Sequence, residues 1–478
     1  MAIAMVFGTL LVILTPAFTG YDEPYHYVRA WQLSNVQVHS VQYRDANGQK
    51  DLGAYFPGTL YVTMFHALLD GYYASAQSHC HGASAACAFG DLDEAAPHGP
   101  KTLIGFPSAA VYPPVPYIPS AAAIRVARGL GLSTLATLWL ARFAGLVAYV
   151  LLVSFALVRI PRWRGVLAIV ALTPVCVFQA AMVSADGLTI ALALLAIAMA
   201  MRLASERPEI SATRALVEVG LLGAALGLSK PPYILFLLLF VPAVIRHRHA
   251  LLGRLLPVVM LPGVALFAWW SHYTQSVWLP PVSVSGTAGA LFGFGLPGAD
   301  ASRQLTFVEH HPLHFLNATA TTVGHTWTTL AHDAVAQVSG WVSTPVALAV
   351  GVALLSYAAL VLAVVGDSMS TRTNDGAPRS SSALEIVTDV VVAFGTFLAL
   401  FLLAYTGWNP VGGPRVDAFQ GRYLVPVLAL LVIGVAPRLR VAVRAGPGPS
   451  AATLTTAAWL LVVAALVTTT LGLTLHYY

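Results

Sequence analysis

The stretch Gly187-Leu188-Thr189-Ile190-Ala191-Leu192-Ala193-Leu194-Leu195-Ala196-Ile197-Ala198-Met199-Ala200-Met201-Arg202-Leu203-Ala204 carries no charge before Arg202. As an α-helix it would run about 27 Å at roughly 1.5 Å per residue, close to the ~30 Å hydrocarbon thickness of a bilayer. It is apolar on every side, so it has no face to offer water. Similar runs, some shorter, lie at 2–18, 135–158, 165–183, 215–229, 231–245, 255–271, 343–365, 385–406, 422–437 and 453–475. They predict an all-α polytopic membrane protein with about 11 transmembrane helices. Composition agrees: 57% of the 478 residues are hydrophobic and 9% are charged, against about 25% charged in soluble domains. Lipid is then the main solvent. The formal net charge of +5 is small and dispersed, which argues against a nucleic-acid partner. Met1 to Phe18 lacks a basic leading region and a small-x-small site before Tyr21, so it reads as a first span rather than a cleaved signal.

Lys and Arg set the orientation. With a cytoplasmic N-terminus, the short inner loops carry Arg159/Arg162/Arg164, Arg202/Arg207/Arg214, Arg246/Arg248/Arg254, Arg372/Arg379 and Arg438/Arg440/Arg444. Basic inner loops are what the positive-inside rule requires. Three longer segments then face outward within a single membrane domain: 19–117, with helical-looking stretches Tyr27–Val36 and Gly58–Ala74; 272–342, rich in Gly, His and Trp; and the short polar 407–421. The inner stretch 367–383 has the composition of a flexible tether. No short-period repeat is visible.

Ionisable groups at membrane depth are costly and tend to mark function. Under this topology the unusual ones gather at outer helix ends. Asp22 and Glu23 follow the first span with His26 and Arg29, a set able to supply a general base and its orienting partner, or simply a helix N-terminal cap before Pro24. Asp186, two residues after Ser184, can cap the helix that follows. Lys230, in Ser229-Lys230-Pro231-Pro232-Tyr233, lies against the positive-inside bias and calls for a buried anionic partner, the alternative being a side chain snorkelling to headgroups. Arg415 and Arg422 also lie against the bias. Arg422 opens a helix and suits a phosphate, or pairs with Asp417. The run Glu309-His310-His311-Pro312-Leu313-His314 carries metal-capable residues, but Pro312 interrupts the helix that would align them. Cys80 and Cys87, flanked by His79 and His81, read as a local disulfide on the oxidising side. Cys176 reads as packing.

The motifs Tyr21-Asp22-Glu23-Pro24-Tyr25-His26, Val111-Tyr112-Pro113-Pro114-Val115-Pro116-Tyr117, Gln179-Ala180-Ala181 with Ser184-Ala185-Asp186, Ser229-Lys230-Pro231-Pro232-Tyr233 and Gln420-Gly421-Arg422-Tyr423-Leu424-Val425-Pro426 follow in order along the chain. Taken together, the chain resembles domain-of-unknown-function family 2142, bacterial polytopic proteins grouped with the GT-C glycosyltransferases. The resemblance implies a GT-C-like fold in a bacterial plasma membrane, a site on the extracytoplasmic face, and sugar transfer from a polyprenyl-phosphate donor to an envelope glycan, lipid or protein. It places the essential acidic residue of such enzymes at Asp22, with Glu23 beside it. Lys230, Arg422 and Arg415 are then expected at the donor phosphate, and His26, Arg29, Tyr112, Asp186, Tyr233, Gln420 and Tyr423 around the substrates. No cofactor is required by this reading, and a divalent metal at Asp22 is left open. The soluble C-terminal domain of many relatives is lacking, which leaves acceptor choice to the outer loops. Two other classes compete: a transporter or flippase of lipid-linked sugars, and a non-catalytic assembly subunit. Transporters place binding residues near the midplane, often between inverted repeats; here the polar residues and the long loops share one face.

Overall fold

The computed structural model describes residues 1–44, 48, 50–72, 92, 100–205, 210–279, 298–338, 346–374, 383–435 and 449–477. Cys80 and Cys87 lie outside the described residues. The helices are α1 (Ala2–Leu14), α2 (Glu23–Ser34), α3 (Gly58–Tyr72), α4 (Pro107–Ala110), α5 (Ile118–Gly129), α6 (Thr134–Arg159), α7 (Arg164–Ala171), α8 (Pro174–Ala181), α9 (Asp186–Leu203), α10 (Ala212–Gly227), α11 (Val241–Arg246), α12 (Leu251–Val277), α13 (Ala301–His310), α14 (Pro312–Ala336), α15 (Val346–Asn374), α16 (Ala383–Trp408), α17 (Val425–Val435) and α18 (Ala451–Tyr477). Three 3-10 segments, Val115–Tyr117, Pro231–Phe240 and Gly421–Leu424, join them.

The apolar runs become helices for the reason given above, and their lengths decide which can cross a bilayer. Thr134–Arg159, Asp186–Leu203, Leu251–Val277, Leu348–Met369, Ala383–Trp408 and Ala451–Leu475 are long and apolar enough. The expected span 165–183 is instead the pair α7 and α8, bent by 56° at a short break. Pro174 causes the break, since it has no N–H for the preceding turn and begins α8 at its first position. Counted as one span, the pair brings the total to seven; Ala2–Leu14, Pro231–Arg246 and Gly421–Gly434 are shorter apolar stretches. The architecture is that of a mostly helical, polytopic membrane protein, in which six helices among the described residues, or seven spans with the bent pair, are long and apolar enough to cross.

Two further corrections concern local structure. Besides the expected short helices, the segment 19–117 holds strands that an all-α reading lacks: β1 (Val41–Arg44), β2 (Lys50–Pro57) and β3 (Lys101–Gly105) form an antiparallel sheet in the order β1-β2-β3, with Val41 opposite Gly53 and Gly53 opposite Gly105. The tether expected from 367 is helical as far as Asn374, and near its start Asp367 Oδ2 accepts the Val166 N–H of α7 at 3.0 Å.

Helix α9 is the centre of the bundle: 83% of its apolar window is buried, and its Leu, Ile and Ala side chains form one core with those of α7, α8 and α10. A second core, around Trp31, Phe56, Phe106 and Tyr117, lies under the segment that follows α1. The elements around α9 run between two levels. Arg246, at the end of α11, donates to the Ala204 carbonyl just after α9 and pairs with Glu385 in the first turn of α16. His247 Nε2 meets the Leu203 carbonyl at 3.0 Å. One level thus collects the basic ends expected for inner loops. Away from that level, α9 starts at Asp186, Lys230 opens the 3-10 segment that leads into α11, and Arg422 lies in the 3-10 segment before α17.

Candidate functional site

Those three residues and Asp22 meet although they come from four separate elements. Lys230 Nζ donates to Asp186 Oδ1 at 2.6 Å, and Arg422 Nε donates to Asp186 Oδ2 at 2.8 Å. Arg422 Nη2 lies 4.0 Å from Asp22 Oδ2. The side chains of Lys230, Asp186 and Arg422 are 4%, 8% and 2% exposed, whereas that of Asp22 is 33% exposed. Two cations therefore share one carboxylate, and a second carboxylate stands beside them on the open side.

Local sequence explains how each is presented. The Ser184 hydroxyl accepts the Asp186 N–H at 3.0 Å, so the start of α9 is satisfied without the Asp186 carboxylate. Gly187 lets α9 touch α8: a Cβ there would fall 2.9 Å from the Ala180 Cα. Pro231 and Pro232 follow Lys230, at the end of α10, and divert the chain into a 3-10 segment. Asp22 adopts the left-handed conformation (φ 54°) and makes no side-chain cap to α2; Asp is among the residues that tolerate this region. Gly421 lets the Arg422 turn meet α14, because a Cβ there would collide with the Leu330 carbonyl and the Asp333 side chain.

The open alternatives are thereby decided. Neither Asp22 nor Asp186 spends its carboxylate on a cap. Lys230 is buried on Asp186 rather than snorkelling, and Arg422 pairs with Asp186, not with Asp417. Aromatic rings close the cluster. Tyr423 lies 3.6 Å from Lys230 Nζ and 5.0 Å from the Arg422 guanidinium, and Tyr21 lies 4.2 Å from the latter. Such faces stabilise desolvated cations. Tyr233 fixes this wall by donating to the Tyr423 carbonyl at 2.6 Å, and the Tyr112 ring is 5.8 Å from Lys230. Burial raises the Asp22 carboxyl above its ordinary value; Arg422 opposes this, Asp186 adds to it and Lys230 opposes it again. Asp22 is accordingly a stronger proton acceptor than a solvated aspartate. Burial pushes His26 down to about 3, so its ring is neutral, and its Nδ1 shares a hydrogen bond with the Tyr117 hydroxyl at 2.7 Å.

Not every expected residue joins the cluster. Glu23 is not half of an acidic dyad. Its carboxylate, 0% exposed, takes Arg142 Nε at 2.7 Å and Nη2 at 2.5 Å, together with the Val183 and Gly20 N–H groups. Arg29 is likewise consumed by protein: it donates to the Tyr112 and Val38 carbonyls and to Gln32, fixing the segment that carries Tyr112. Arg415 is exposed and stays outside the buried set. Gln420, two residues before Arg422, has a buried Oε1 without a partner among the described residues.

Several residues escaped the sequence reading. Arg142 carried a usable signal, an arginine inside the apolar run Leu138-Trp139-Leu140-Ala141-Arg142-Phe143. Tyr21 and Gln337, which hydrogen-bond at 2.7 Å across 316 positions, carried none. Among the described residues no group of three or more His, Cys, Asp or Glu is placed to hold a metal. Both Asp186 oxygens already serve cations, so Asp22 would be a lone carboxylate beside Arg422. That donor set does not fit a divalent ion.

Comparison with protein-family models matches residues 5–431 to the family described as predicted membrane protein, DUF2142. The chain belongs to the DUF2142 family. The matched region holds Asp22, Asp186, Lys230 and Arg422 and ends before α18. Comparison with curated proteins and with solved structures found no match. For a DUF2142 chain, then, function has to be argued from the site itself.

Proposed function

We propose that this DUF2142 protein is a membrane glycosyltransferase of GT-C type, transferring a sugar from a polyprenyl-phosphate donor to an acceptor hydroxyl with inversion, on the extracytoplasmic face of a bacterial plasma membrane. One observation carries the reading: Lys230 and Arg422 share the carboxylate of Asp186, Asp22 stands only at 4.0 Å from Arg422, and Arg422 keeps a buried Nη1 with no hydrogen-bond partner among the described residues. A buried, under-satisfied guanidinium beside a second cation suits a phosphate anion. In this reading the shorter apolar stretches also cross or enter the bilayer, and the lipid tail lies between helices.

The chemistry follows from these positions. The acceptor oxygen attacks the anomeric carbon and forms the new C–O bond, while the bond from that carbon to the phosphate oxygen breaks. The leaving electron pair stays on the polyprenyl phosphate, whose charge Lys230 and Arg422 stabilise. Asp22, raised in basicity and open on one side, takes the acceptor's hydroxyl proton. Asp186 holds both cations in place. Tyr112, Tyr423 and neutral His26 wall the site.

The test is transfer by purified protein in lipid, supplied with a polyprenyl-phosphate sugar and an envelope extract as acceptor. Product formation by wild type, lost in a folded Asp22→Asn variant, is expected. An Asp22→Asn protein with wild-type transfer would overturn the role of Asp22. Movement of labelled lipid across liposomes with no covalent change would favour a flippase instead.

A further inference from the structure

The cluster has a second wall that the proposed chemistry does not use. The end of α14 brings Asp333, in its last turn, and Gln337, the residue just past it, against the Arg422 turn and Tyr21. Asp333 packs where Gly421 leaves room, and Gln337 Nε2 donates to the Tyr21 hydroxyl at 2.7 Å. The Tyr21 ring lies 4.2 Å from the Arg422 guanidinium. Asp333 Oδ1 is held by His332 Nδ1 at 3.0 Å. Four buried polar atoms on the residues of this wall have no partner among the described residues: His332 Nε2, Gln337 Oε1, Gln420 Oε1 and Arg422 Nη1. Gln337 as a whole is 7% exposed. Buried polar atoms are nearly always paired, and leaving one unpaired is unfavourable. Four such atoms on residues that neighbour one another mark a place built for a polar guest. The mixture matters: amide oxygens and a carboxylate accept, and a guanidinium donates. Hydroxyl groups do both, so a polyhydroxylated ring satisfies this set where an apolar or purely anionic group does not.

We propose that Asp333, Gln337 and Gln420 form a hydroxyl-binding subsite that holds the sugar ring of the lipid-linked donor, next to the phosphate cations Lys230 and Arg422. This rests on the reading of the site as one for a polyprenyl-phosphate sugar. The subsite belongs to the donor's ring because it shares Arg422 with the phosphate position: one edge of the guanidinium faces Asp186 and Asp22, and the two N–H groups of its unpartnered Nη1 remain, one for the phosphate and one for a ring hydroxyl beside it. The Tyr21 hydroxyl orients Gln337, so Tyr21 is a positioning residue.

The experiment compares binding of two probes to full-length protein in nanodiscs: polyprenyl phosphate without a sugar, and its hexosyl and pentosyl monoesters. Wild type should bind at least one glycosylated lipid more tightly than the bare one. Gln337→Ala and Gln420→Ala should each reduce that affinity roughly five- to tenfold, the loss of one hydrogen bond, while binding of the bare lipid changes less than about twofold. Retained bare-lipid binding certifies the fold. Should Gln337→Ala fail to accumulate, Tyr21→Phe keeps the ring on Arg422 and releases Gln337, and it should show the same selective loss on a smaller scale. Equal wild-type affinity for bare and glycosylated lipids, or parallel loss for both probes in the variants, overturns the subsite and leaves the phosphate reading intact. Binding of neither lipid by wild type overturns both.

Discussion

Asp22 and Glu23 are neighbours in sequence, yet they enter opposite kinds of ion-pair network. Around Glu23 everything is closed: both carboxylate oxygens are engaged, and Arg142 spends its remaining N–H groups on the Val12, Thr15 and Pro16 carbonyls. This network ties the end of α1 to α6 and to the chain before α9. Around Asp22 the network is incomplete: the Arg422 contact is 4.0 Å, Arg422 Nη1 is unpartnered among the described residues, and a third of the Asp22 side chain is open. Charge burial alone therefore does not identify a working site. A saturated buried pair is scaffold, and an unsaturated one beside an opening has capacity left for a ligand.

The comparison breaks if the two networks respond alike to mutation. Asp22→Asn should lower transfer by about 10²–10⁴-fold, the range for loss of a general base, with thermal unfolding close to wild type. Glu23→Gln should do the reverse in kind. It leaves Arg142 charged, buried and short of its counter-ion, a loss of about 3–5 kcal/mol in stability, read as early unfolding and poor membrane accumulation rather than as a kinetic defect in surviving protein. Arg422→Lys should fall between: charge is kept, but the fork that spans Asp186 and the unpartnered position is lost, and transfer should drop roughly 10–100-fold. An Asp22→Asn protein that unfolds early while Glu23→Gln is stable and inactive would invert the assignment.

The pH profile sharpens the same contrast. Asp22 works as a base only when ionised, and its carboxyl is raised. Activity should therefore fall as pH decreases through a value above the ordinary aspartate range, and this acid limb should vanish in the residual rate of Asp22→Asn.

What the sequence revealed, and what it hid, follows from the range of the interactions. Helical runs are local, so the apolar stretches around α6, α9, α12, α16 and α18 could be placed closely. Lys230 and Arg422 were visible because they break a charge rule that is also local. The direction of a side chain at a helix start is not local: nothing in Tyr21-Asp22-Glu23-Pro24 states which carboxylate meets Arg142, 119 positions away. The sheet was missed because β1 is only four residues long, mostly exposed, and gains its ladder from β2. Gln337 follows the end of α14, a place whose importance appears only when Gly421 brings the Arg422 turn against that helix.

The smallest effect expected is also a useful boundary. Arg415 and Arg422 lie in one short segment, both against the positive-inside bias, and the resemblance places both at the donor phosphate. In the structure Arg415 is exposed whereas the Arg422 side chain is 2% exposed and holds Asp186. A solvated arginine gains little from a distant phosphate once salt screens it. Arg415→Ala should leave both transfer and donor affinity within about twofold of wild type, with any residual effect fading as ionic strength rises. A drop approaching that of Arg422→Lys, and insensitive to salt, would mean that the loop 409–420 folds over bound donor and that the cation set is larger than the buried pair.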